Sequence, residues 1–108
     1  MIKQNIDFNL SADNTQAIKA SDLKKILKVM KIYNEQRLYF NLLDIIIGYN
    51  RNIVIKNNYS GANFALDVND INLLLMIAKT EGLKVLFFAK NDNSIYLAVK
   101  GNEYIKIK

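Results

Sequence analysis

The sequence contains no cysteine, no histidine, no proline and no tryptophan, and only 4 glycines in 108 residues. Without cysteine there is no disulfide scaffold, no thiolate metal site and no cysteine nucleophile. Without histidine the usual general base at neutral pH is missing, and with it Ser-His catalysis and imidazole-ligated zinc. So few glycines and no proline leave little punctuation, and no linker, low-complexity tract or internal repeat is legible. The longest apolar run, Leu73 to Ala78, is far too short to span a bilayer. The start, Met1 to Asn5, lacks the apolar segment of a signal peptide. The expectation is a soluble, cytoplasmic protein with no membrane partner. Phosphate-binding glycine loops, dinucleotide fingerprints and calcium loops are also absent.

What is present is enough for one core. Hydrophobic residues make up 51% and charged residues 23% of the chain, which excludes disorder throughout. The length suits a single domain over 1–108, with a strand-and-turn segment at 1–18 and a core at 19–108. Lys+Arg number 15 against 10 Asp+Glu, a net charge of +5 that attracts polyanions. Lysine outnumbers arginine 13 to 2, and Asn and Ile each occur 15 times. That bias is what AT-rich codons write, and it discounts part of the lysine content.

Along the chain, Ile2 to Leu10 reads as one short strand, followed by a turn at Ser11 to Asn14. Leu23, Ile26, Leu27, Met30 and Tyr33 then recur at helical spacing, with Ser21 or Asp22 as candidate cap. Lys24, Lys25, Lys28 and Lys31 surround the rest of that helix, either as a solvated face or as a stripe facing phosphates. Two apolar runs, Leu38 to Ile47 and Asn52 to Lys56, flank Gly48-Tyr49-Asn50-Arg51 and predict two paired strands. A short strand at Phe64 to Leu66 leads to a helix opening at Asp67, Asn69 or Asp70 and stopping at Gly82. Its residues Ile71 and Leu73 to Ala78 are apolar nearly all round, which predicts burial. Lys84 to Ala89, Ile95 to Val99 and Tyr104 to Lys108 read as strands, the last a half-buried edge strand. The fold class expected is α/β (α+β), a mixed β-sheet flanked by helices.

An acidic residue on one strand, a tight turn and an apolar strand ending in lysine form the layout Asp44-Ile45-Ile46-Ile47 and Ile53-Val54-Ile55-Lys56. This resembles the PD-(D/E)xK, restriction-endonuclease-like nuclease fold. Residues 44–90, through Ile77-Ala78-Lys79-Thr80-Glu81-Gly82 and Val85 to Lys90, look like archaeal Holliday junction resolvases. With Asn93 to Lys100 added, they are also similar to the C-terminal domain of archaeal tRNA splicing endonucleases. The resemblance implies remnant catalytic positions at Asp44 and Lys56. Val54 stands where the family carries a magnesium-binding acid, and an isopropyl group holds no metal. Asp22 or Asp67 could stand in for it only if the fold brought them there. The histidine of the splicing endonucleases is missing as well.

The expectation is therefore a non-catalytic subunit without a metal site, Mg2+ entering only if a residual nuclease survives. Its partners would be a catalytic nuclease subunit or a second copy, together with RNA or DNA. The best-fitting role is the structural subunit of an archaeal-type tRNA splicing endonuclease. The alternatives are a resolvase-like DNA-binding homodimer, a residual nuclease using Asp44 and Lys56, or a viral or plasmid interaction protein. Arg51, Lys56, Lys24 and Lys28 are the candidate nucleic-acid contacts, and Tyr104, Ile105 and Ile107 the candidate dimer strand.

Overall fold

The computed structural model describes residues 1–41, 44–48, 53–56 and 61–108. In chain order the elements are β1 (Lys3–Asn5), β2 (Thr15–Lys19), α1 (Ala20–Ile32), β3 (Arg37–Phe40), β4 (Asp44–Ile47), β5 (Ile53–Lys56), β6 (Phe64–Asp67), α2 (Val68–Glu81), β7 (Val85–Asn91), β8 (Ser94–Lys100) and β9 (Glu103–Lys106). The strands form two sheets, ordered β1-β9-β8-β7-β2 and β5-β4-β3-β6. The α+β class holds, but the expected mixed sheet does not, because among the described residues every strand pairing is antiparallel. The reason lies in where the helices lead. α1 carries the chain from β2 in the five-stranded sheet to β3 in the four-stranded one, and α2 crosses back from β6 to β7. A parallel pair needs a crossover that returns to its own sheet, and neither helix makes one.

The two halves of the chain are one βαβββ unit built twice. A shift of 48 residues carries Lys19 onto Asp67 and Arg37 onto Val85, and the pairing survives the shift. Lys19 lies opposite Val85 in one sheet, and Asp67 lies opposite Arg37 in the other. The hydrogen bonds that fasten the helices follow the same rule. Ala20 N–H donates to Lys84 O at 2.9 Å, and Val68 N–H to Gln36 O at 3.1 Å. Glu35 N–H donates to Met30 O at 2.9 Å, and Leu83 N–H to Ala78 O at 2.8 Å. Each helix is left through a left-handed residue, Asn34 at φ 55° and Gly82 at φ 67°. Asparagine tolerates that region and glycine enters it freely. Each unit thus lends its first strand to the sheet of the other.

The helices begin differently. Asp67 caps α2 by accepting from Asp70 N–H at 2.8 Å while its own N–H donates to Asp70 Oδ2 at 3.0 Å, a reciprocal box. α1 has neither Ser21 nor Asp22 as its cap. It starts at Ala20 with Lys19 in the cap position and no side-chain bond, because β2 runs straight into the helix. α2 is also less enclosed than its composition suggests: Met76 is 54% exposed. Leu23, Ile26 and Met30 of α1 meet Ile71, Leu74 and Ile77 of α2 in one core. Leu38, Phe40, Ile45 and Ile47 of the four-stranded sheet and Leu86, Phe88, Ile95 and Leu97 of the five-stranded sheet close it. Phe40, Phe64 and Phe88 form its aromatic centre, with ring centroids 4.8 to 5.9 Å apart.

β9 is not an edge strand. β1 pairs along it, placing Lys3, Gln4 and Asn5 opposite Ile105, Tyr104 and Glu103. The strand expected over Ile2 to Leu10 is only these three residues long; Ile6 N–H then donates to Asn102 O at 2.9 Å. Phe8 lies on the outer face of the sheet, 5.1 Å from the Tyr96 ring and 4.6 Å from the Tyr104 ring. The far end of β1 is tied to α2 by a 2.7 Å ion pair from Lys3 to Glu81, whose hydrogen bond raises the Lys3 pKa. Tyr104 and Ile105 are consequently buried within the monomer, and Ile107 packs half-buried against the core.

Candidate nucleic-acid interface

Helical geometry, 100° per residue, puts Lys24, Lys25, Lys28 and Lys31 within about a third of the circumference of α1. All four are exposed, opposite the buried Leu23, Ile26 and Met30. Among the described residues none of the four forms an ion pair; the three pairs present are Lys3–Glu81, Lys56–Asp44 and Lys108–Asp70. Within the helix this arrangement is unfavourable. Lys24–Lys28 at i, i+4 and Lys25–Lys28 and Lys28–Lys31 at i, i+3 repel by about 0.2–0.5 kcal/mol each. Lys24 and Lys25 also lie toward the positive end of the helix dipole. Of the four only Lys31, in the last turn, gains from the helix dipole, and a polyanion laid along the helix would neutralise all four charges.

α2 lies against α1, and because both turn their buried faces to one core, their open faces look the same way. The 48-residue shift takes Lys24 to Asn72, Lys28 to Met76 and Lys31 to Lys79, all exposed. The open side of the helix layer is therefore strongly basic along α1 and nearly neutral along α2. Sequence reasoning singled out Lys24 and Lys28. Lys25 and Lys31 share their face, as the helical period already showed; Lys79 joins the same side only through the packing of the two helices.

Asp44 and Lys56 do meet, but elsewhere. They are directly opposed on β4 and β5, with Nζ 2.9 Å from Oδ1. Ile45 and Ile47 enter the core, so the pleat turns Asp44 to the outer face of the four-stranded sheet, across the core from the α1 lysines. The predicted residues therefore belong to two separate surfaces. On the outer face Val54 is 50% exposed and sits opposite Ile46. Asp67 is committed to capping α2, and Asp22 lies on α1, so neither joins Asp44. Among the described residues no group of three or more acidic side chains converges as a metal site would require. Arg51, like Tyr49, Asn50 and Asn52 beside it, lies outside the described residues. Lys56 keeps 83% of its side chain in solvent. Lys56→Met should thus change stability by less than about 0.5 kcal/mol, read from urea midpoints.

Among the described residues no helix is long and apolar enough to cross a membrane. No protein-family model, curated protein or solved structure matches this chain.

Proposed function

We propose that the chain binds the phosphate backbone of a nucleic acid through the α1 face of its helix layer, and that it contributes binding rather than catalysis. The observation that carries this reading is the group of four exposed, unpaired lysines on one side of α1. Ammonium groups on flexible stems suit phosphates, and they carry no base-reading geometry, so sequence preference should be weak. A binding role without chemistry is what the resemblance to a structural splicing-endonuclease subunit implies. The lysine face stands independently of that resemblance.

Fluorescence anisotropy with a labelled DNA duplex and a bulge-helix-bulge RNA, between about 50 and 200 mM salt, tests the reading. Replacing Lys24, Lys25, Lys28 and Lys31 together by Gln should lower the slope of log affinity against log salt by about 3.6. At 0.15 M salt it should weaken binding about a thousandfold. Lys56→Gln, on the opposite face, should leave the slope unchanged. No binding by the wild-type protein at the lowest salt, or equal binding by the fourfold variant, would refute the proposal.

A further inference from the structure

A second surface has the opposite electrostatic character. Between the C-terminal end of α1 and strands β4 and β5 lies a cavity of about 340 Å³, lined by Tyr33, Glu35, Ile47 and Ile53. That size is at the small end of ligand pockets and suits one short aliphatic group. Ile47 and Ile53 lie directly opposite each other on β4 and β5 and supply an apolar wall. Tyr33, 63% exposed, presents a ring.

Glu35 supplies the charge. It is half-buried, and no hydrogen bond or ion pair engages its carboxylate among the described residues, in a protein with a net charge of +5. The backbone holds it in place from two sides. Its N–H closes α1 by donating to Met30 O at 2.9 Å. Its carboxyl group lies flat on Gly48, where a Cβ would fall 2.5 to 2.8 Å from the carboxyl carbon and both oxygens. Gly48 itself is at φ 80°, so glycine serves both the turn and the seat of the carboxylate. The negative end of the α1 dipole points to the same place.

We infer that this cavity binds a primary alkylammonium ion, its head on Glu35 and the Tyr33 ring and its stem between Ile47 and Ile53. A carboxylate, a helix C-terminus and an aromatic face each favour a cation, and two isoleucines favour a methylene chain over a bare ion. Such a group arrives either on a free diamine or on the lysine side chain of another protein. The inference does not depend on the α1 interface, which has the opposite charge.

Amide NMR titrations of the full chain separate the two sources, one with 1,5-diaminopentane and one with Nα-acetyl-lysine methylamide, with pentan-1-ol and pentanoate as controls. Saturable shifts at Tyr33, Glu35, Ile47, Gly48 and Ile53 are expected with the amines alone. Whichever amine binds more tightly identifies the source. Glu35→Gln should weaken amine binding at least tenfold while the remaining amide resonances stay in place. Tyr33→Leu, on an exposed residue that leaves the core intact, should weaken it by a smaller factor. The inference fails if neither amine gives saturable shifts, if pentan-1-ol gives the same shifts, or if Glu35→Gln binds amines as well as the wild type.

Discussion

Phe88→Ala should lower the free energy of unfolding by about 3–5 kcal/mol, seen as a reduced urea midpoint with an unchanged slope. Phe88 has no exposed surface and stands where the two halves of the molecule meet, its ring 5.9 Å from Phe40 and 5.4 Å from Phe64. Truncation removes a large apolar group, and two aromatic contacts worth about 0.5–1.5 kcal/mol each go with it. The surrounding wall cannot readily collapse into the space, because it comes from two different sheets and two helices. Against a total stability of about 5–15 kcal/mol for a domain of this kind, the loss removes a large share of what holds the chain folded. Phe40, the residue that the 48-residue shift carries onto Phe88, should give a loss of the same size. The double variant should lose less than the two losses combined, since the rings touch. A cost under about 1 kcal/mol would mean that Phe88 does not fill the centre of the core.

Gly61→Ala should be nearly as damaging, for a different reason. A Cβ at Gly61 would fall 1.7 Å from Thr15 O and 3.1 Å from Ala12 O. Both atoms belong to backbone, so no flexible side chain can move aside. The same carbonyl of Thr15 accepts from Ala62 N–H at 2.9 Å. Gln16, only 1% exposed, sends its side-chain amide to Ala62 O at 3.3 Å and Asn41 O at 3.0 Å. Forcing the chain off this contact breaks bonds that satisfy buried polar groups and should cost about 3 kcal/mol. Gly82 and Gly101 are the natural comparison. Both have positive φ, but an added Cβ meets nothing within 4 Å. Alanine at either should cost about 1–2 kcal/mol, from backbone conformation alone. A urea series over the three variants distinguishes crowding from conformational strain. A Gly61→Ala midpoint no lower than that of Gly82→Ala would contradict the close approach described.

The parts of this fold that were legible in the sequence are those whose signals are local. α2 announced itself by Asp67 and Asp70 at its start and Gly82 at its end, and both ends act as the residue types suggest. The β7–β8–β9 meander followed from short apolar runs separated by Asn91 to Ser94 and Gly101-Asn102. What was missed depends on partners distant in the chain. β2, Thr-Gln-Ala-Ile-Lys, has too little alternation to read as a strand and is one because β7 lies beside it. The run Leu38 to Ile47 read as one strand contains two, β3 and β4, because the chain reverses within it. β9 looked like an edge because β1, which covers it, lies near the other end of the sequence.

The duplication is not legible in the sequence because so few residues repeat. The pairs Ala17/Ala65, Asp22/Asp70, Leu27/Leu75, Lys31/Lys79, Leu38/Leu86 and Phe40/Phe88 are identical, while the positions between them keep only their burial or nothing. Of the candidate sites, the lysine face was readable from period alone. The opposition of Asp44 and Lys56 was also readable, as two strands in hairpin register. Their separation from the lysines by the whole core was not, since it depends on which side of the sheet faces the helices.

The exchange of first strands between the halves has a consequence for how the molecule comes apart. β2 completes a sheet made otherwise of β1 and the three strands β7, β8 and β9 of the other unit, and β6 in return completes the sheet of β3, β4 and β5. A cut between the halves would leave each fragment missing a strand it needs and holding one it cannot use, with half of the phenylalanine centre bare. Neither fragment is a closed body, so melting one half strips the other, and the duplicated architecture should denature in a single step rather than as two successive modules.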